Sequence, residues 1–151
     1  MSGLYIHIPF CKQACSYCDF YFITRQQQKQ DFVDALIQEI HHKKDSRFTE
    51  NPIQTIYFGG GTPSLLTPRQ VEDILAAIHQ VFETELTEVT LEMNPDDVTK
   101  TYLAALKAAG INRASMGVQS FDAALLNFMH RAHTAEEALA CLEILQASDF
   151  N

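Results

Sequence analysis

The sequence offers one compact set of groups with obvious chemistry, Cys11-Lys12-Gln13-Ala14-Cys15-Ser16-Tyr17-Cys18. Its C-x3-C-x2-C spacing is short enough for three thiolates to wrap a single centre. Iron–sulfur clusters prefer thiolate ligands, and a [4Fe–4S] cube given only three sulfurs keeps one iron open to a further ligand. Three thiolates with His7 could instead make a structural zinc site, and cysteine is also a common small core residue. The spacing leaves these readings open. Cys141 lies far along the chain on an apolar helical face and reads as a core residue, not a fourth ligand.

Other polar residues fall into phase with this loop. Residues two apart on a strand share a face, which groups Tyr5 with His7, Thr90 with Glu92 and Asn94, and Ser115 with Gly117 and Gln119. The opposite face collects Leu4, Ile6, Ile8, Val89, Leu91, Met93, Ala114, Met116 and Val118. Polar groups thus converge on one side of a sheet. Gly59-Gly60-Gly61-Thr62 lets backbone approach a ligand closely and adds a hydroxyl, so it suits a carboxylate or an amine. Glu92 points inward from an otherwise apolar strand and needs a hydrogen-bonding or cationic partner. His7 is a candidate catalytic residue, the alternative being a satisfied core histidine. His130 and His133 read as surface residues, and Arg131 as either a ligand contact or an exposed helix-end ion pair.

The elements that must position these groups alternate along the chain. Strands are expected over residues 4–8, 55–58, 88–93 and 113–118, and helices over about 29–42, 67–82 and 99–109, with a short helix after Asp122 and a last one after Thr134. Thr67 with Gln70 and Thr134 with Glu137 read as capping boxes, and Gly110 as a helix stop. Alternation of this kind gives an α/β fold with parallel strands and outer helices. The 151 residues are about one domain, by the usual scale of roughly 100 to 200 residues each.

Charge and hydropathy exclude some functions. A net charge of −8 argues against nucleic acid as a partner, because that affinity rests on clustered Lys and Arg. No apolar run reaches the length of a transmembrane segment. The start MSGLYIHIPFC lacks the marks of a signal peptide, so the thiols are expected in a reducing compartment, the cytoplasm.

Taken together, the motifs resemble the radical S-adenosylmethionine superfamily. Its mark is C-x3-C-x2-C with an aromatic residue before the last cysteine, the place held here by Tyr17. Tyr5-Ile6-His7-Ile8-Pro9-Phe10-Cys11, Gly59-Gly60-Gly61-Thr62-Pro63-Ser64, Glu92-x-Asn94-Pro95 and Gly117-Val118-Gln119-Ser120-Phe121 are similar to motifs of the branch that contains oxygen-independent coproporphyrinogen III oxidases and HemW-type haem chaperones. The resemblance implies a [4Fe–4S] cluster on Cys11, Cys15 and Cys18, with S-adenosylmethionine chelating the open iron and cleaved by an electron to a 5′-deoxyadenosyl radical. It further implies that Gly60, Gly61 and Thr62 meet the methionyl amine, that Glu92, Gln119 and Arg131 contact the cofactor, and that Tyr5 and Tyr17 lie beside the cluster.

The same resemblance implies a six-unit (β/α) barrel with a C-terminal domain, of which residues 1–151 would be the N-terminal portion, with about four β/α units. The oxidases carry a further cysteine two residues after the third, where this chain has Phe20, and they begin with a longer segment before the cluster. Both departures favour the haem chaperones, which bind haem and transfer it to an acceptor protein, over enzymes that oxidatively decarboxylate a porphyrinogen.

Overall fold

In the computed structural model, residues 2–44, 46, 51–148 and 150 are described. Four parallel strands form one sheet in the order β1 (Gly3–Ile8), β2 (Ile53–Gly60), β3 (Thr84–Met93) and β4 (Arg113–Met116). Helices α1 (Lys29–His42), α2 (Pro68–Val81) and α3 (Lys100–Ala109) connect them, and α4 (Ala123–Phe128) and α5 (Ala135–Gln146) follow β4. Two short 3-10 turns, Pro63–Leu65 and Pro95–Asp97, stand just beyond the C-terminal ends of β2 and β3.

Hydrophobic phase decides which side of the sheet the helices cover. Ile6, Ile8, Ile56, Phe58, Val89, Leu91 and Met93 are buried on one face, against Val33 and Ile40 of α1, Val71, Ile74 and Ile78 of α2, and Leu103 and Leu106 of α3. Burying each such side chain contributes about 1.5–3 kcal/mol relative to leaving it in water. The other face carries Tyr5, Tyr57, Thr90 and Arg113 as one register row, with His7 beside Gly59 and Glu92 beside Ser115 in the next. Its polar groups are therefore gathered where no helix packs.

Helix ends follow the local chemistry of the sequence. Thr67 and Thr134 each close a complete capping box, Asp122 accepts from the N–H groups of Ala124 and Leu125, and α3 stops at Gly110. The strands differ more from expectation. β2 runs on through Gly59 and Gly60, which pair with His7 and Ile8, and β3 starts at Thr84, opposite Ile53, with a register shift before Glu88 pairs with Thr55. β4 is shorter than the apolar pattern suggests, because the chain leaves the sheet after Met116 and Gln119 adopts a left-handed backbone. On α5 the inward positions are Ala138 and Cys141, with Ile144 and Leu145 packed against the core, while Leu139 is exposed. Among the described residues no helix is long and apolar enough to cross a membrane.

Candidate functional site

The cysteine loop sits over the C-terminal ends of β1 and β2. Its base is closed by Cys11 N–H donating to the Ile23 carbonyl at 3.0 Å and Ile23 N–H to the Pro9 carbonyl at 2.6 Å. Between those points there is almost no regular structure, so side chains hold the arc in place. Ser16 donates through its N–H to the Met129 carbonyl and through Oγ to the Phe128 carbonyl, and Gln13 donates to the His130 carbonyl. The turn after α4 is thus one wall for the loop.

Cys11, Cys15 and Cys18 line one hollow with Tyr17, Gly61, Thr62, Asn94 and Arg131. Two donors point at sulfur: Thr62 Oγ1 lies 3.5 Å from Cys11 Sγ, and Arg131 Nη1 lies 3.4 Å from Cys15 Sγ. Donors aimed at sulfur stabilise thiolate charge and tune a bound centre. Burial pushes the Cys11 thiol up, partly opposed by the Thr62 hydroxyl. Loading a metal on this sulfur therefore has to release its proton.

Among the described residues no three His, Cys, Asp or Glu side chains are gathered as a metal ion would require. A four-iron cube is wider than a single ion, so the fit of the donor set rests on the shared hollow and the sulfur-directed donors. The proposed zinc partner His7 is committed elsewhere. Its Nε2 donates to the Tyr21 carbonyl at 3.0 Å, which leaves Nδ1 to accept from the Tyr5 hydroxyl at 3.3 Å. Both residues, with Tyr21, line an adjoining groove along the β1 edge of the sheet that none of the three cysteines lines.

The glycine run lies directly beneath the loop. A Cβ at Gly61 would stand 2.7 Å from the Phe10 carbonyl oxygen and 3.0 Å from Cys11 Sγ, and Gly60 has a left-handed φ of 109° against the His7 ring. The backbone donors here are spent inside the protein. Gly60 N–H donates to Glu92, Gly61 N–H to the Ile8 carbonyl and Thr62 N–H to the Phe10 carbonyl. Of the two ligands the glycine run was expected to suit, a carboxylate would need these N–H groups, and they already have partners. With its N–H groups taken, what such a segment can offer a ligand is carbonyl oxygen, an acceptor that suits a protonated amine better than a carboxylate.

A second hollow of about 280 Å³ adjoins the first and shares Tyr17, Cys18, Gly61, Thr62, Asn94 and Arg131 with it. Gly60, Glu92 and Gln119 line this second space. Glu92 finds its partners within the protein, accepting from the Tyr57 hydroxyl at 2.6 Å and from Gly60 N–H at 3.2 Å. Tyr57 stacks on Tyr5, with ring centroids 6.1 Å apart, and so links Tyr5 to the site indirectly. Arg131 is not an exposed helix-end cation. Its Nη1 also donates to the Tyr17 hydroxyl at 3.1 Å, and its Nη2 to Asn94 Oδ1 at 2.8 Å and the Gly117 carbonyl at 2.7 Å.

His133 corrects a second expectation, since it is only 3% exposed and donates from Nε2 to the Val118 carbonyl at 2.9 Å. This bond, with that of Arg131 to Gly117, takes up the carbonyls where β4 ends. Burial is the main cause that lowers the His133 pKa. The unfolded chain then binds the proton more readily, so the stability this neutral ring contributes is full above its unfolded value of about 6.5. It is lost as the pH falls from there through the folded value. Urea unfolding across this window is expected to show that slope, and His133→Asn to flatten it; an unchanged slope would assign the effect to another group.

Sequence reading alone did not single out Tyr57, Lys12 or the pair Asp96 and Asp97. Tyr57 shares the phase of Tyr5 through the strand register, a signal that only pairing supplies. Lys12 reaches Asp96 and Asp97 across the loop.

Comparison with known proteins agrees with this geometry. Residues 5–151 match the family model of the radical SAM superfamily. The chain is 38% identical over 151 residues to the haem chaperone HemW of Lactococcus lactis, covering 99% of this chain and 38% of that protein. It is 35% identical over 143 residues to oxygen-independent coproporphyrinogen III oxidase of Salmonella typhimurium, covering 93% of this chain and 31% of the enzyme. The solved coproporphyrinogen III oxidase of Escherichia coli superposes with a TM-score of 0.87 at 33% identity, over 99% of this chain and 35% of that one. The chain therefore spans little more than a third of these relatives at most. With the parallel sheet, the cysteine hollow and a family match over nearly its whole length, the chain belongs to the radical SAM superfamily.

Proposed function

We propose that this chain holds a [4Fe–4S] cluster on Cys11, Cys15 and Cys18, with one iron left for S-adenosylmethionine, as the N-terminal part of a longer protein that binds haem and passes it to an acceptor protein. The observation carrying the cluster reading is the single hollow shared by the three sulfurs, with Thr62 and Arg131 donating to two of them. When bound, cluster and cofactor supply one-electron chemistry at the sulfonium. The chain's own groups bind and orient. Carbonyls of Gly60 and Gly61 receive the amine, Glu92 and Gln119 line the space for the rest of the cofactor, and Arg131 ties Cys15 to the ends of β3 and β4. A catalytic part for His7 would be played from the adjoining groove. A reducing compartment such as the cytoplasm suits the free thiols.

Support for haem handling over porphyrinogen oxidation comes from Phe20. It is 66% exposed and stands where the oxidase pattern has its extra cysteine, beside the second hollow. The competing reading, an oxygen-independent coproporphyrinogen oxidase, is favoured by the close superposition on the Escherichia coli enzyme. An anaerobic assay of the full-length protein separates them. Haem bound and handed to an apo-acceptor with no porphyrinogen consumed is the expected result, and steady decarboxylation of porphyrinogen would establish the oxidase instead.

A further inference from the structure

Lys12 is the residue after the first cysteine, and its ammonium pairs with Asp96 Oδ2 at 2.5 Å and with Asp97 Oδ1. We propose that Lys12 is a positioning residue, a latch that holds the Cys11–Cys15 arc down on the 3-10 turn after β3 so that the thiols stay over their common hollow. This rests on the cluster reading for its purpose, though not for its geometry.

The anchor is rigid where the loop is not. Asp97 Oδ2 accepts from Ser64 Oγ at 2.6 Å, and Ser64 Oγ in turn accepts from Asn94 N–H at 3.2 Å, which fixes the carboxylate between the ends of β2 and β3. The side chains of Asp96 and Asp97 are only 14% and 7% exposed, whereas Lys12 is 34% exposed. Two largely buried neighbouring carboxylates repel each other and need a cation, and among the described residues Lys12 ion-pairs with both. The opposite edge of the loop already hangs on the turn at Phe128–His130. Without Lys12 the first half of the arc keeps its base, where Cys11 bonds Ile23, the bond of Gln13 to the turn after α4, and the donors at the sulfurs of Cys11 and Cys15, but loses its ion pairs to the turn after β3. A free lysine side chain would lose its rotamer entropy for nothing here; the pairing is what makes ordering favourable.

The test uses the full-length protein with Lys12→Gln, Lys12→Arg and Asp97→Asn. After anaerobic reconstitution, iron loss to a chelator is expected to be about tenfold faster in Lys12→Gln, at the low end of the effect of removing an outer support from a metal site. Lys12→Arg should restore near wild-type retention, since it keeps the charge and reach. In metal-free protein, alkylation of Cys11 and Cys15 should be faster in Lys12→Gln and Asp97→Asn; because Lys12→Gln leaves two largely buried carboxylates without their cation and should also lower the melting temperature, rates are compared well below each variant's melting temperature. Wild-type retention and alkylation in Lys12→Gln would overturn the latch. Should wild type take up no iron, the cluster reading fails, and the alkylation arm still decides the latch alone.

Discussion

Replacing any one of Cys11, Cys15 and Cys18 by alanine is expected to abolish the brown iron–sulfur absorbance of the anaerobically reconstituted protein, while Cys141→Ala leaves it intact. The three sulfurs share one hollow, and a cube held by three thiolates already has an iron without a protein ligand. Loss of another sulfur leaves two irons unheld. Cys141 is 2% exposed, its thiol is pushed up to about 11 by burial, and its Sγ contacts Met116 Sδ at 3.9 Å, so it is packing rather than ligand. Its truncation trades a small buried group for a void and costs stability only. Iron and sulfide content per chain checks the series. Full iron content in Cys15→Ala, or its loss in Cys141→Ala, would contradict the assignment.

Gly61→Ala is expected to carry the second largest effect, because the new methyl would meet atoms that cannot step aside. Its Cβ would lie 2.7 Å from the Phe10 carbonyl oxygen, 3.0 Å from the Ile8 carbonyl oxygen and 3.0 Å from Cys11 Sγ. Two of these belong to the backbone bonds that continue the β1 and β2 pairing, and the third is a proposed ligand. Overpacking of this kind costs about 1–3 kcal/mol. The same push displaces Cys11, so iron content should fall together with the urea midpoint. Gly60→Ala provides the comparison: there the obstacle is the His7 ring 2.7 Å away and a φ of 109°, so backbone strain leads. Wild-type iron content in Gly61→Ala would show that this glycine does not set the loop's seat.

Local chemistry made much of the fold readable. α1 spans Lys29–His42, as expected, and both capping boxes form as Thr67 with Gln70 and Thr134 with Glu137 require. Each signal lies within a few residues, where propensity and hydrogen bonding act directly. The strand phase likewise put Glu92 and Ser115 on the polar face. What stayed hidden depends on partners distant in sequence. The bond of Arg131 to Cys15 spans 116 positions and that of Lys12 to Asp96 spans 84, and a pairing of that range has no periodicity to betray it. His133 looks polar in sequence, yet its ring is buried because the Val118 carbonyl needs a donor where β4 ends. The glycine run was legible as a close approach, but which groups it presents was decided by the Ile8 and Phe10 carbonyls taking its N–H groups.

Mössbauer spectroscopy of the ⁵⁷Fe-reconstituted full-length protein, recorded with and without S-adenosylmethionine, addresses the cluster claim itself. One cubic cluster per chain is expected, in which a single iron changes its environment when the cofactor is added and the others do not. A different metal, or a cluster whose irons all ignore the cofactor, would contradict it.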